Sequence, residues 1–253
     1  MNATPQLAKT FVAFVAIALG IASSLRGENT SDMRPALVGS GPHSLVNLIN
    51  TKHLVERGVK HGALFFYAIV APNGFPIYSK VWGMTKETEP LRDELRERLA
   101  EARFVPAVYN HRNVYAGFNG TLAFSVVDGK PHLRIFANQE LSELQKETDF
   151  IAPQRISIPG HIYDFTKVKE PFSGWMTEDK PGEADMSLSV DAGGHLKDVH
   201  IEKVTPPESQ KYADAAATIT REQTFLPAYR NGKPVDSATH IKFYFVPAFY
   251  RMQ

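Results

Sequence analysis

The stretch FVPAVYN, residues Phe104 to Asn110, returns as FLPAYRN at Phe225 to Asn231. In both copies a turn signal and a hydrophobic run lie upstream, a helix-like segment leads into the Phe, and an aromatic-rich run follows. A recurring order of this kind indicates two copies of one small unit. The chain has 253 residues, which is enough for two such units.

The first copy begins with ALFFYAIV, residues 63–70, followed by the turn Pro72-Asn73-Gly74 and the run FPIYSKVWG. Asn-Gly between two strand-like runs predicts a β-hairpin. The segment EPLRDELRERLAEA, residues 89–102, repeats leucine at helical spacing, which predicts an amphipathic helix with its charges in solvent. Asp128-Gly129 then predicts a second hairpin between a strand from Thr121 to Val127 and the run PHLRIFA that ends at Ala137, which adds one strand to this unit.

The second copy begins with DMSLSVD, residues 185–191, where apolar and polar residues alternate as in a half-exposed strand. Gly193-Gly194 marks a turn, HLKDVHIEKV forms the partner strand, residues 209–222 form a helix, and residues 241–246 form the last strand. The predicted fold class is therefore α+β: two repeated β-β-α-β units, each a small antiparallel sheet with one helix packed on it.

The N-terminus carries an unbroken apolar run, FVAFVAIALGIA at residues 11–22, between Lys9 and small residues that precede Arg26. This pattern indicates a signal peptide. Even the stretch Thr10 to Leu25 has only sixteen residues, whereas a spanning helix needs about 20. We therefore expect cleavage and a periplasmic or secreted protein of the bacterial envelope. Retention of the run would anchor the protein in the inner membrane.

These features divide the chain into five predicted parts. A polar, flexible lead precedes the first unit, and a linker with four prolines and scattered aromatic residues is expected to pack between or across the two units. The boundaries are residues 1–24 for the signal peptide or short anchor, 25–60 for the lead with a short helix, 61–138 for the first unit with its extra strand, 139–183 for the linker, and 184–253 for the second unit.

Composition and motifs argue against several functions. Lys+Arg 28 against Asp+Glu 27 leaves no net field that would draw the protein onto nucleic acid or an anionic membrane. The absence of cysteine excludes a disulfide framework, a thiolate metal site and a cysteine nucleophile. No H-E-x-x-H, G-x-S-x-G, phosphate-binding or dinucleotide-binding motif occurs. We therefore predict no catalytic, cofactor-binding or metal-binding residues, and no enzyme.

The repeated motif itself has a structural interpretation. Phe104 and Phe225 are expected to end the helices by burying their rings under the sheet, worth about 1.5 to 3 kcal/mol each. Pro106 and Pro227 fix φ and turn the chain toward the last strand of each unit.

The second unit resembles the C-terminal domain of TonB-type proteins. The resemblance depends on an ordered set of features: strand, glycine turn and strand from Met186 to Val204, a helix ending at Phe225-Leu226-Pro227-Ala228, the turn Asn231-Gly232-Lys233-Pro234-Val235, and an aromatic strand ending Phe245-Val246-Pro247. The first unit, Ala63 to about Val127, keeps Phe104, Pro106, Ala107 and Asn110 but lacks the Gly-Lys-Pro-Val portion.

The resemblance implies a non-enzymatic periplasmic adaptor without a cofactor. Such a domain accepts an extended peptide of an envelope partner, such as an outer-membrane transporter, by strand addition beside its last strand. We expect the partner-binding residues on strand 239–246, namely Thr239, Ile241, Lys242, Phe243, Tyr244 and Phe245. Ile241, Phe243 and Phe245 are expected on one face of this strand, and Lys242 and Tyr244 on the other. Proline at position 243 is expected to remove one ladder donor and thereby to test this binding mode. In the first unit the extra strand is expected to cover the equivalent edge.

Two features argue against coupling to an ion-driven motor. Residues 10–25 contain no histidine or acidic residue, and only residues 25–41 could serve as a spacer. Two other functions stay open. One is a periplasmic scaffold protein whose two units pack as a closed pseudo-dimer, and the other is a hydrolase with a cleft between the units.

Overall fold

The computed structural model of the chain describes residues 33–83, 86–146, 148–157 and 182–245. The predicted signal peptide or anchor, residues 1–24, lies outside this part of the chain. Among the residues that the structure describes, no helix combines the length and apolar character needed to cross a membrane.

The described residues form many strands and few helices, and they belong to one compact unit. In chain order the elements are β1 (Met33–Arg34), α1 (Leu45–Leu48), α2 (Thr51–Glu56), β2 (His61–Val70), β3 (Pro76–Trp82), α3 (Glu89–Glu101), β4 (Ala107–Tyr109), β5 (Arg112–Val127), β6 (Lys130–Phe136), α4 (Leu141–Leu144), β7 (Phe150–Ile151), β8 (Gln154–Ser157), β9 (Gly182–Val190), β10 (Leu196–Thr205), α5 (Gln210–Arg221), β11 (Phe225–Leu226), β12 (Ala228–Arg230), β13 (Lys233–Val235) and β14 (Ser237–Phe245).

The fold class predicted from the sequence is wrong, because the protein is mostly β and is not a pair of small β-β-α-β units. An eight-stranded sheet has the order β1-β4-β5-β2-β3, with β6 and β8 also paired to β5 and β11 paired to β8. Two further sheets have the orders β10-β9-β14 and β13-β12-β7. The predicted linker supplies β7 and β8, whose partners β12 and β11 come from the second half.

The length of β5 explains much of this difference. The strand spans 16 residues and pairs with β2, β4, β6 and β8, whereas the sequence predicted a strand only from Thr121 to Val127. The two-residue turn Asn110-His111, with φ of 48° and 60°, joins β4 to β5. A two-residue hairpin turn with positive φ at both positions usually contains glycine. Because His111 takes the place of that glycine, the sequence pattern did not predict this hairpin.

The order strand, strand, helix and strand nevertheless recurs in two parts of the chain. We call the part from β2 to β5 the first half and the part from β9 to β14 the second half. The first hairpin of each half, β2–β3 and β9–β10, turns through three residues. The third turn residue is a glycine with positive φ, Gly74 at 82° and Gly194 at 81°. A Cβ on Gly74 would collide with the carbonyl oxygen of Phe104, and a Cβ on Gly194 with that of Phe225. The repeated motif therefore supports the tip of each hairpin with its backbone.

The four residues predicted to be structural lie at these contacts. Phe104 and Phe225 are buried, and the Phe104 ring centroid lies 5.3 Å from that of Phe118. The helices end earlier than expected, α3 at Glu101 and α5 at Arg221, so neither phenylalanine is the last helical residue. Pro227 is buried and Pro106 half-buried.

One charged residue of α3 is inside the protein and not in solvent. Glu94 is 6% exposed, and its Oε1 accepts the backbone N–H of Asn50 at 2.8 Å and the Nε–H of Arg98 at 3.0 Å. The hydrogen bond that Arg98 donates to Glu94 raises the pKa of the Arg98 guanidinium. Because Asn50 caps α2, this carboxylate ties α2 to α3.

The two halves also share a core. Leu226 is the second residue of the second copy of the motif but packs in the core cluster of the first half. Gln154 of β8 is buried, and its side-chain amide exchanges hydrogen bonds of 2.7 and 2.9 Å with the backbone of Ala36. Residues 33–37, predicted to be part of a flexible lead, are therefore built into the sheet through β1 and Ala36.

Replacing Gly74 by alanine should destabilise the protein more than replacing Gly129. Both glycines have positive φ, but a Cβ at Gly129 has nothing within 4 Å, whereas one at Gly74 collides with Phe104. We expect G129A to cost about 1 to 2 kcal/mol from the left-handed backbone alone. G74A should cost at least about 1 kcal/mol more from overpacking.

Urea-unfolding curves measure this difference. The matched pair in the second half is G194A against G232A, where the Cβ of Gly232 also meets nothing within 4 Å. Equal losses within each pair would contradict the proposed backbone contact.

Candidate functional site

The candidate site is the side of β14 that faces away from β9. Within the described residues β14 pairs only with β9, in the antiparallel register Ser237↔Val190 to Phe245↔Gly182. The strand thus ends the three-stranded sheet. An edge strand presents backbone N–H and C=O groups on its outer side, which another strand can bind.

The side chains of β14 alternate between two faces, as the sequence predicted. Thr239 is buried, and Ile241 and Phe243 are half-buried against the core cluster of the second half. Lys242 lies on the opposite face, where its Nζ is 3.0 Å from Asp185 and 3.5 Å from Glu183.

The remaining predicted partner-binding residues lie at the end of the strand. Tyr244 and Phe245 stand in register with Glu183 and Gly182, and Val246 lies outside the described residues.

Glu140 binds this edge, a contact that no sequence pattern predicted. Its Oε1 accepts the backbone N–H of His240 at 2.8 Å and the hydroxyl of Thr239 at 2.9 Å, and its Oε2 lies 3.1 Å from Nδ1 of His240. The carboxylate therefore takes the position that a carbonyl oxygen of an added strand would take beside His240. The two residues lie 100 positions apart in the sequence, so no local pattern could link them.

The bond to Glu140 also fixes the direction of the backbone groups. Since the N–H of His240 points away from β9, and backbone direction alternates along a strand, Lys242 and Tyr244 also direct their backbone groups outward. Phe243 directs its groups toward β9. Proline at position 243 would therefore remove a ladder donor that faces β9, and position 244 is the one that tests the outer edge.

The segment before Glu140 is held by several hydrogen bonds. The carbonyl of Asn138 accepts the hydroxyl of Thr121 at 2.6 Å, and the amide of Gln139 donates to the carbonyls of Phe66 at 2.8 Å and Gly120 at 3.1 Å. The next residue, Leu141, is 67% exposed. A fixed carboxylate thus lies beside an exposed apolar side chain at this edge.

The outer face of the same sheet carries histidines and a serine, but not in an arrangement for nucleophilic catalysis. His200 and His240 both stand in register with Ser187. The hydroxyl of Ser187 donates to Glu202 at 2.6 Å, and Glu202 lies 4.0 Å from Nε2 of His200. A serine nucleophile needs a base that accepts its proton, usually a histidine, and here a carboxylate holds it in an exposed position.

The β9–β10 turn fixes the beginning of β14. Asp236, just before β14, accepts the backbone N–H of Ala192 at 2.7 Å. In the same turn Asp191 accepts Nζ of Lys197 at 2.8 Å and the backbone N–H of His195 at 2.9 Å. The hydrogen bond from Lys197, followed by that from the His195 backbone, holds the pKa of Asp191 well below its usual range.

In the residues that the structure describes, no three His, Asp or Glu side chains are close enough together to hold a metal ion. Comparisons with protein-family models, with curated proteins and with solved structures find no match to this chain.

Asp191→Asn should destabilise the protein at pH 7, and the loss should shrink as the pH falls. Because the folded-state pKa is lowered, the carboxylate stabilises the protein fully above its unfolded pKa of about 3.9. That stabilisation is lost as the pH falls from about 5 toward the folded pKa. Urea-unfolding midpoints of wild type and D191N at pH 7, 4 and 2.5 test this.

Asp214→Asn is the control, because Asp214 lies exposed on α5 and contacts Gln210. A gap between wild type and D191N that stays constant from pH 7 to 2.5 would contradict the role given to Asp191.

Proposed function

We propose that this protein is a non-enzymatic adaptor, exported to the bacterial envelope, that binds an extended segment of a partner protein by strand addition to β14. The observation that carries the proposal is a difference between the halves. The last strand of the first half, β5, has β6 on its outer side, whereas β14 ends its sheet within the described residues.

The two strands occupy corresponding positions. In the first half the ladder begins at Val70↔Ala116, and in the second at Val190↔Ser237. Ala116 follows Phe104 by twelve residues and Ser237 follows Phe225 by twelve, so both ladders start at the same distance from the repeated motif. Thr121, where pairing with β6 ends, therefore corresponds to Lys242.

Strand addition needs few special side chains. Backbone hydrogen bonds supply the affinity and alternate side-chain contacts supply the selectivity. This mode of binding fits a site that brings together a strand edge and apolar side chains without a catalytic cluster. It is also the mode implied by the resemblance of the second half to C-terminal domains of TonB-type proteins.

A periplasmic scaffold is the second candidate. It is favoured by the pairing of β8 with β11 and of β7 with β12, and by the burial of Leu226 in the first core, because these contacts join the halves firmly. A scaffold of this kind would need no partner at β14, and the experiments below separate the two functions.

The structured N-terminal segment limits how far the protein could reach from a membrane. Since β1 begins at Met33, only residues 26–32 lie between the apolar stretch and the folded part. Seven residues span at most about 25 Å when extended. A retained anchor would hold the adaptor near the inner membrane, so we favour an exported protein whose apolar run is removed.

Cell fractionation and mass measurement test the export. We expect the mature protein in the periplasmic or secreted fraction, with an N-terminus between Ser23 and Arg26. An intact N-terminus in the membrane fraction would point to an anchored protein, and recovery from the cytoplasm would overturn the exported adaptor.

Proline substitutions test the edge. Tyr244→Pro removes an outward N–H, so we expect a folded protein that no longer binds its partner. Phe243→Pro removes an N–H that faces β9 and a half-buried ring, and should cost about 3 kcal/mol or more.

Partner binding is measured by crosslinking from a photo-reactive amino acid placed at the exposed position of Leu141. The same amino acid at the exposed position of Ile77 on β3 is the control. We expect crosslinks to an envelope protein from position 141 that disappear in the Y244P background. If position 141 gives no crosslink, or if Y244P leaves it unchanged, the adaptor function fails and the scaffold is favoured.

A further inference from the structure

We infer that His200 and His240 together bind a divalent transition-metal ion, such as Zn²⁺, above Ser187 on the outer face of the sheet β10-β9-β14. This inference goes beyond the proposed function and does not depend on a partner at β14. It follows from the register of the three strands, from the exposure of both imidazoles and from the contact between His240 and Glu140.

The two histidines lie on either side of Ser187. His200 of β10 and His240 of β14 are both opposite this serine of the middle strand, so the three side chains form a row across the sheet. The adjacent residues Val199 and Ile241 pack against the core cluster of the second half, which places the row on the opposite, outer face. The histidine side chains are 66% and 65% exposed, so both can turn toward a ligand.

The spacing of the row fits one metal ion. Neighbouring strands lie about 4.8 Å apart, so β10 and β14 are separated by about 9.6 Å across β9. The serine between the histidines is small, and two imidazoles that lean over it can each form a Zn–N bond of about 2.0 to 2.1 Å with the same ion. Imidazole nitrogen suits Zn²⁺, Cu²⁺ and Ni²⁺. Two histidines fill only part of the coordination shell, and water completes it.

Glu140 orients one of the two ligands. Its Oε2 lies 3.1 Å from Nδ1 of His240, and because a carboxylate only accepts hydrogen bonds, Nδ1 carries the proton of the neutral imidazole. Nε2 of His240 then presents its lone pair to an ion. A metal-bound histidine usually has such a carboxylate behind it, which fixes the ring and raises its basicity. Glu140 is therefore a positioning residue and not a ligand.

The charges around the row favour a cation. Glu202 lies 4.0 Å from Nε2 of His200. On the same face the charge of Lys242 is balanced by Asp185, whose Oδ1 is 3.0 Å from Nζ. The carboxylates of Glu140 and Glu202 thus add negative charge beside the row, which favours the approach of a divalent cation.

The eight-stranded sheet contains a similar row without the carboxylates. His61 of β2 and His132 of β6 are both opposite Ser125 of β5, and both histidines are exposed. Strands β2, β5 and β6 contain no aspartate or glutamate. This row has the spacing of the other but lacks its negative charge and its oriented imidazole. We therefore expect it to bind the metal more weakly, which makes it an internal control.

Calorimetric titration with Zn²⁺ alone tests the site, at pH 7.5 and with the full chain free of a histidine tag. We expect one strongest site per wild-type chain. His200→Ala changes an exposed residue, so the protein should fold, and the loss of one ligand should weaken Zn²⁺ binding at least about tenfold. The matched control is the double variant H61A/H132A, which should bind Zn²⁺ as the wild type does.

Glu140→Gln tests the positioning role. We expect Zn²⁺ binding to weaken by about 10- to 100-fold, because the carboxylate no longer orients His240. Electron paramagnetic resonance of the Cu²⁺-loaded protein separates this role from ligation: it should show two nitrogen ligands in wild type and in E140Q, and one in H200A.

Each contrary result overturns a stated part. Absence of Zn²⁺ binding in the wild type, or unchanged binding in H200A, overturns the metal site. A loss in H61A/H132A as large as that in H200A overturns its assignment to the sheet β10-β9-β14. Unchanged affinity in E140Q, or only one nitrogen ligand there, overturns the role of Glu140. The partner crosslinks are measured without metal, so the strand-addition function stands or fails separately.

Discussion

The structure depends on the pairing of backbone groups along β5. This 16-residue strand has β2 on one side and β4, β8 and β6 on the other, so its N–H and C=O groups have strand partners over most of its length. Buried backbone groups are costly when unpaired, and β5 carries many buried residues. Through β8 the same strand also reaches β11, which directly follows the helix of the second half.

Within the described residues the corresponding strand β14 has β9 as its strand partner, and the Glu140 carboxylate binds its other edge at His240. Glu140 lies in the segment between β6 and α4, so its carboxylate binds the edge of β14 from a position far earlier in the chain. The same order of elements thus has different surroundings in the two halves. The last strand of the first half pairs with β6, whereas Glu140 and the exposed Leu141 lie beside the last strand of the second half.

Local patterns predicted the parts of the fold that depend on near neighbours. Asp128-Gly129 forms the turn between β5 and β6 with φ of 50° and 75°, and Asn73-Gly74 lies in the turn between β2 and β3. The alternation of Thr239, Ile241 and Phe243 with Lys242 also matches the faces of β14. The separation into two small units was wrong, because the pairing of β8 with β5 and β11 joins residues far apart in the chain.

The sequence by itself determined the repeated motif, the turns and the strand that carries the candidate site, because each depends on backbone preferences and side-chain alternation over a few residues. Only the tertiary structure decided that Glu94 is buried, that Glu140 binds His240, and which backbone groups of β14 point outward. These features depend on contacts between residues 44 to 100 positions apart, which no local pattern encodes. The physical reason is that a carboxylate far along the chain can satisfy a backbone N–H once the fold brings them together.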